Sequence, residues 1–169
     1  SDFTISLREA LAMVKAPYSP WEAIQKLGGK SDADIEDECI DAFIAKDGDN
    51  SFYIHINSNK PQRRTNFTLA HELGHLFLHM GFIINPEKWK NLEKYDDSVF
   101  FRSSRYSLEE FEANEFAGSF LMPEKEFIDC ANLHLDTERN SYNLEPISDC
   151  FEVSQDSVIL RGKRLGIFV

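Results

Sequence analysis

In residues 65–80, TNFTLAHELGHLFLHM, His71 and His75 stand four positions apart and Glu72 directly follows the first of them. On a helix, positions i and i+4 share a face one turn apart, so both imidazoles can reach a single metal ion. The Glu72 carboxylate then falls where it can take a proton from a water held at that ion. Phe67, Leu69, Leu73, Leu76, Phe77 and Met80 give the same stretch a broad apolar surface. Two histidines and a glutamate are costly to bury there unless something satisfies them, and a metal would. Gly74 lowers helix propensity by about 1 kcal/mol relative to alanine. Its missing side chain would let another element come close beside the histidines.

Zinc suits two imidazoles, one further protein ligand and an open position for water. The third ligand must come from elsewhere. His79 lies one turn beyond His75, but three successive turns cannot converge on one tetrahedral ion, so it reads as a helix-end or supporting residue. The continuation H-E-x-x-H-x-x-G-x-x-H is absent, which leaves a carboxylate. Glu109, Glu110 and Glu112 in the acidic helix that follows all compete for the role. Glu110 is preferred, because Asn114 sits one turn later on its face and can fix the tautomer of a ligand histidine. Glu112 is the main alternative. This predicts one Zn2+ per chain and a hydrolase in which Glu72 moves the proton from water to the departing amine. An oxyanion also needs a donor. Tyr106 is the candidate, with His134 and Arg105 behind it.

The elements that would carry these residues can be read in order. Residues 6–15 show Leu7, Leu11 and Val14 at helical spacing. A second helix starts at Pro20 behind Ser19 and stops at Gly28-Gly29, with Trp21, Ile24 and Leu27 facing inward. Residues 42–46 and 51–57 flank the turn D-G-D-N as a β-hairpin, in which Phe52, Ile54 and Ile56 form the core face. His55 on the other face reads as a surface histidine rather than a cleft residue. An edge of the hairpin could hold an extended substrate. Residues 62–80 form the histidine helix, ended by Gly81. Residues 82–105 are irregular apart from a short helix around Leu92 and Tyr95, and serve as a cleft wall or a connector. Ser107 caps the acidic helix with Glu110 three residues on, and Met122-Pro123 ends it. A helix over 124–133 and a polar exposed loop over 134–143 follow. Residues 144–151 and 155–165 then pair as a helix-turn-helix-like unit. The expected fold class is α+β, with a metallopeptidase domain over 1–135 and the helical pair over 144–169 packed on it.

Composition bounds the partners. A net charge of −11 argues against a surface built to grip phosphate backbones. Arg161, Lys163 and Arg164 are offset by Glu145, Asp149, Glu152 and Asp156, so packing is the stronger reading of the last helices and DNA contact the weaker. The acidic residues between Asp32 and Asp49 face a single Lys46 and read as a solvated face, with docking of a basic partner as the alternative. Cys39, Cys130 and Cys150 are odd in number and form no C-x-x-C pair, which suits buried thiols in a reducing compartment. No run is apolar enough to span a bilayer, and the opening SDFTISLREALAM has neither a basic leader nor a cleavage site. The expectation is a cytoplasmic protein.

FTLAHELGHLFLH, followed by EFEANEFAGSFLMP, resembles the ImmA/IrrE family of metallopeptidases. The second motif is Glu110, Ala113 and Asn114, then Phe116-Ala117 and Leu121-Met122-Pro123. FEVSQDSVILRGKRLGIF is similar to the helix pair that often closes these proteins, departing from it at Gly162. The resemblance implies a gluzincin-like fold with a small β-sheet on the H-E-x-x-H helix. It assigns His71, His75 and Glu110 as ligands and Glu72 as the catalytic glutamate. It also implies regulatory proteolysis of a DNA-binding repressor from a phage, mobile element or stress response. The rival readings are a metal-stabilised protein-binding regulator without proteolysis and a transcription regulator using the C-terminal helices.

Overall fold

The computed structural model describes residues 2–14, 19–32, 42–57, 59–92 and 108–169. Cys39, the acidic residues at 34–41, Tyr95, Arg105, Tyr106 and the cap residue Ser107 lie outside them. The chain is α+β and mostly helical. In order it runs α1 (Asp2–Val14), α2 (Pro20–Lys26), β1 (Lys30–Asp32), β2 (Ala42–Asp47), β3 (Ser51–Ile56), α3 (Gln62–Leu78) and α4 (Pro86–Asn91). Then come α5 (Leu108–Leu121), α6 (Glu124–Leu133), β4 (Leu135–Asp136), β5 (Ser141–Tyr142), α7 (Leu144–Phe151) and α8 (Gln155–Arg164).

The hairpin forms as its alternation dictates, with β2 antiparallel to β3. Phe52, Ile54 and Ile56 point into the core and join Ile44 on the same face. Beyond the hairpin, β1 pairs in parallel with β3, which makes β3 the central strand of a three-stranded sheet. The start of the acidic stretch is therefore not simply a solvated face. Asp32 ends β1 beside His55, accepting from the Tyr53 hydroxyl at 2.6 Å and lying 3.0 Å from His55 Nδ1. His55 is stacked between Phe43 and Tyr53. It is neither a loose surface histidine nor part of the histidine helix's cluster.

The sheet's apolar face and helices α1 and α2 pack on α3, and α5 lies against α3. Burying a leucine such as Leu69, Leu73 or Leu76 contributes about 1.5–3 kcal/mol, which is how a helix interrupted by polar ligands stays docked. Ser19 caps α2 as the sequence implies, accepting from the Glu22 amide at 3.2 Å. Gly81 takes φ 84° just beyond α3, a left-handed conformation that glycine adopts without a Cβ penalty.

A second apolar cluster joins the end of α5 to α6, α7 and α8 through Met122, Phe127, Ile147, Val153 and Val158. The expected loop at 134–143 is instead a short ribbon, β4 with β5 antiparallel. Its Tyr142 ring meets Phe168 at 4.8 Å. Gly162, the departure noted in the last helix, has a local reason. A Cβ there would fall 2.2 Å from the Phe168 ring, so only glycine lets the C-terminal aromatic fold back on α8. Arg63 of α3 ties the helix pair to the first cluster, donating to Asp149 at 2.7 Å and to Ser148 and Val153 at 3.3 Å. Arg161, read from sequence as part of a positive patch, is buried and donates from Nε to the Met122 carbonyl at 3.0 Å. That geometry makes Arg161 a packing residue.

Candidate metal centre

Two helices build the site, and small residues set their distance. Gly74 of α3 faces Ala113 of α5 so closely that an added Cβ would lie 3.0 Å from both the Cα and the carbonyl oxygen of Ala113. Ala113 is fully buried at this contact, and Ala117, one turn on, is fully buried as well. The close approach brings the His71 and His75 turns against the Glu110 and Asn114 turns.

His71, His75 and Glu110 form a group able to hold a metal ion. The two Nε2 atoms are 3.0 Å apart, His71 Nε2 lies 3.0 Å from Glu110 Oε1, and His75 Nε2 lies 3.4 Å from Glu110 Oε2. A tetrahedral zinc with ligand bonds of about 2.0–2.1 Å spaces its ligand atoms by roughly 3.3 Å. The far sides of both rings are fixed by other residues. Asn114 Oδ1 lies 2.7 Å from His71 Nδ1 and accepts its N–H. His75 Nδ1 lies 2.8 Å from His79 Nδ1, and His79 Nε2 lies 3.1 Å from Glu112 Oε1.

The tautomers follow from that chain. Glu112 accepts from His79 Nε2–H, which leaves His79 Nδ1 as an acceptor. His75 Nδ1–H donates to it, so His75 Nε2 presents a lone pair, as does His71 Nε2. Burial keeps this arrangement neutral. It holds the His75 pKa down to about 3 against the raising effect of Glu110, and it lowers that of His79 against the bond to Glu112. For Glu110, burial pushes the carboxyl up, but when a proton takes the metal's place on the facing imidazole nitrogens, the hydrogen bonds and charges of His71 and His75 outweigh burial and hold it well below the ordinary range. Two imidazole lone pairs and a carboxylate converge at 3.0–3.4 Å. With neither a proton nor a metal among them they repel, and a metal ion makes every contact attractive. The donor set therefore fits the group.

Glu72 is buried, 2 % exposed, on the turn that carries His71. Glu112, the rival for the third ligand position, is placed on His79 instead. His134 caps the end of α6 and is not among the grouped residues. The relay from Glu112 through His79 to His75 was not foreseen as a unit. Its one signal was the histidine ladder at 71, 75 and 79. A larger cleft of about 880 Å³ lies toward the other end of α3, lined by Trp21, Arg63, Asn66, Phe120 and Phe151, and holds none of the ligand residues.

Residues 33–162 match the family model described as the IrrE N-terminal-like domain, a peptidase family. The chain belongs to that family. The match spans the hairpin, both site helices and most of the C-terminal pair. No curated protein matches the chain. Family and histidine–glutamate site together class the protein as a zinc metalloendopeptidase of gluzincin type. Among the described residues, no helix is long and apolar enough to cross a membrane.

Proposed function

We propose that the protein is a cytoplasmic zinc-dependent endopeptidase that cleaves, and so inactivates, one regulatory protein, a DNA-binding repressor being the substrate that its family resemblance suggests. The observation that carries the hydrolytic part is the convergence of His71 Nε2, His75 Nε2 and Glu110 at 3.0–3.4 Å, with both rings held from behind in the ligating tautomer. His71, His75 and Glu110 would hold the zinc. When bound, it would lower the pKa of a water and polarise the scissile carbonyl.

The chain's own residues do the rest. Glu72 takes the proton from the attacking water and returns it to the departing amine, which prevents the tetrahedral species from expelling water again. Its burial restricts competing solvent around that proton. Asn114 and the His79–Glu112 pair keep the ligand rings from rotating. Tyr106 is our candidate donor to the oxyanion. We read residues 1–135 as the catalytic unit and 144–169 as a helix pair packed on it, a division supported by Arg63 and Arg161 reaching between the two.

The test compares wild type with Glu72→Gln for metal content and for cleavage of the repressor encoded beside the gene. About one zinc per chain in both proteins is expected, with cleavage slowed by roughly 10²–10⁴-fold in the variant. Equal inactivation of the repressor by both proteins, with no cut product, would instead make this a binding protein built on a peptidase scaffold.

A further inference from the structure

Cys130 and Cys150 are the two cysteines among the described residues, and neither serves the metal centre. They meet where α6 packs on α7. Phe127, one turn before Cys130, stacks its ring on that of Phe151, directly after Cys150, with the centroids 5.9 Å apart. Beside this ring pair the two thiols are hydrogen-bonded to each other. A disulfide has an S–S bond of about 2.05 Å, and sulfurs already in hydrogen-bond contact reach it by turning their side chains, with the helices docked as they are.

The surroundings make the two thiols unequal. Cys130 is 8 % exposed and belongs to the apolar cluster of Met122, Phe127 and Ile147. Cys150 departs from the buried thiols that the sequence suggested: it is exposed and lines the wide cleft beside Trp21 and Phe151. Burial, and then the neighbouring Cys150, push the Cys130 thiol up to about 11. Cys130 therefore keeps its proton and donates it toward the Cys150 sulfur. An oxidant in solution reaches Cys150 first, and a second sulfur stands directly behind it. Redox-responsive thiols have this arrangement, an accessible sulfur beside a resolving one. The position also matters for the fold. Ser148 and Asp149, just before Cys150, accept from Arg63 at the start of the histidine helix, so a bond at Cys150 would fix the segment that grips α3.

We propose that Cys130 and Cys150 are a peroxide-sensitive pair, with Cys150 the sulfur that is oxidised and Cys130 the one that resolves it to a reversible disulfide. First, the Cys150 thiolate attacks one oxygen of hydrogen peroxide. An S–O bond forms, the O–O bond breaks, and the hydroxide released takes up the proton that Cys150 had lost, leaving as water. The Cys130 sulfur then attacks the Cys150 sulfur. The S–S bond forms, the S–O bond breaks, and the departing hydroxide takes the Cys130 proton as a second water. Two thiols lose two electrons, one peroxide gains them, and a dithiol reductant restores the pair. The link closes the β4–β5 ribbon into a loop and holds α7 on α6. Nothing in it depends on the peptidase reading.

The test treats the zinc-loaded full chain with a small excess of hydrogen peroxide, caps free thiols with N-ethylmaleimide and maps the cysteines by digestion and mass spectrometry. Monomeric protein should yield a linked Cys130–Cys150 peptide that disappears on reduction with dithiothreitol. The linked form should melt no lower than the reduced protein, and by as much as about 10 °C higher, because the bond restricts the unfolded chain. In Cys130→Ala the linked peptide should be lost, and Cys150 should accumulate as a sulfenic acid captured by dimedone. Both thiols still open to capping after peroxide, or a link from either to Cys39 or to a second chain, overturns the pair. So does a dimedone adduct at Cys150 as abundant in wild type as in Cys130→Ala. A linked form that melts below the reduced protein overturns it too, since the bond would then arise in an opened chain rather than between packed helices.

Discussion

Gly74 and Gly118 lie on facing helices and look alike in the sequence, yet one is packed solid and the other borders a void. At Gly74 the backbone of Ala113 fills the place of a Cβ, and the ligand turns are drawn together. At Gly118 nothing fills it closely. The contact of α3 with α5 is thus filled where the candidate ligand residues meet, whereas the contact of α5 with α8 leaves space beside Gly118. The difference follows from the chemistry. Ligand atoms tolerate errors of only a few tenths of an ångström, so the helices that carry them must meet closely, a demand that does not reach Gly118.

The metal itself gives the largest lever on that contrast. Chelation should destabilise the protein by about 4 kcal/mol relative to zinc held at a thousand times its dissociation constant. Hydrogen exchange should locate the loss. Amides of α3 around 70–79 and of α5 around 109–115 should exchange faster, while those of α7 and α8 change little. Uniform acceleration through the helix pair would show that the two contacts are not distinct.

Gly74→Ala comes next. The new Cβ meets backbone rather than the end of a flexible side chain, so the helices must separate. Overpacking of this kind costs about 1–3 kcal/mol. The gain in helix propensity is only about 1 kcal/mol. The net effect should be a lower melting temperature together with weaker zinc binding. A variant that melts lower but keeps its zinc affinity would detach the close approach from the ligand geometry.

Most of the metal centre was legible in the sequence, because it depends on helical period alone. His71 and His75 share a face by spacing, and Glu110 and Asn114 share another by the same rule. Gly74 announced a close contact beside the histidines. What was not legible depends on how two helices cross. Glu112 competed with Glu110 on composition, and only the crossing sends it to His79. Strand β1 was hidden because three residues, Lys30, Ser31 and Asp32, carry no alternation and find their partner in β3 twenty-three positions away. The ribbon at 135–142 was likewise too short and polar to announce itself. Arg161 looked like surface charge, and its burial against the Met122 carbonyl depends on α8 docking on α5.

The residues behind the ligands test the filled contact more finely. Asn114→Ala removes the acceptor for His71 Nδ1–H, and His79→Phe removes the acceptor for His75 Nδ1–H. Each should weaken zinc binding roughly 10–100-fold, read by competition with a chelating dye. A purely structural role would lower the melting temperature of the metal-free protein and leave the zinc constant where it was.

Gly118→Ala is the smallest effect and the sharpest, because its sign is opposite to that of the same substitution at Gly74. The added methyl group meets Arg161 Cδ at 3.7 Å and nothing nearer, so no overpacking cost offsets the propensity gain of about 1 kcal/mol. In a domain of this size that gain raises the melting temperature by about 2–4 °C. A fall in melting temperature would mean that the space beside Gly118 closes in solution, as the interface does around Gly74. The two glycines would then be one kind of residue, and the space between α5 and α8 would not exist.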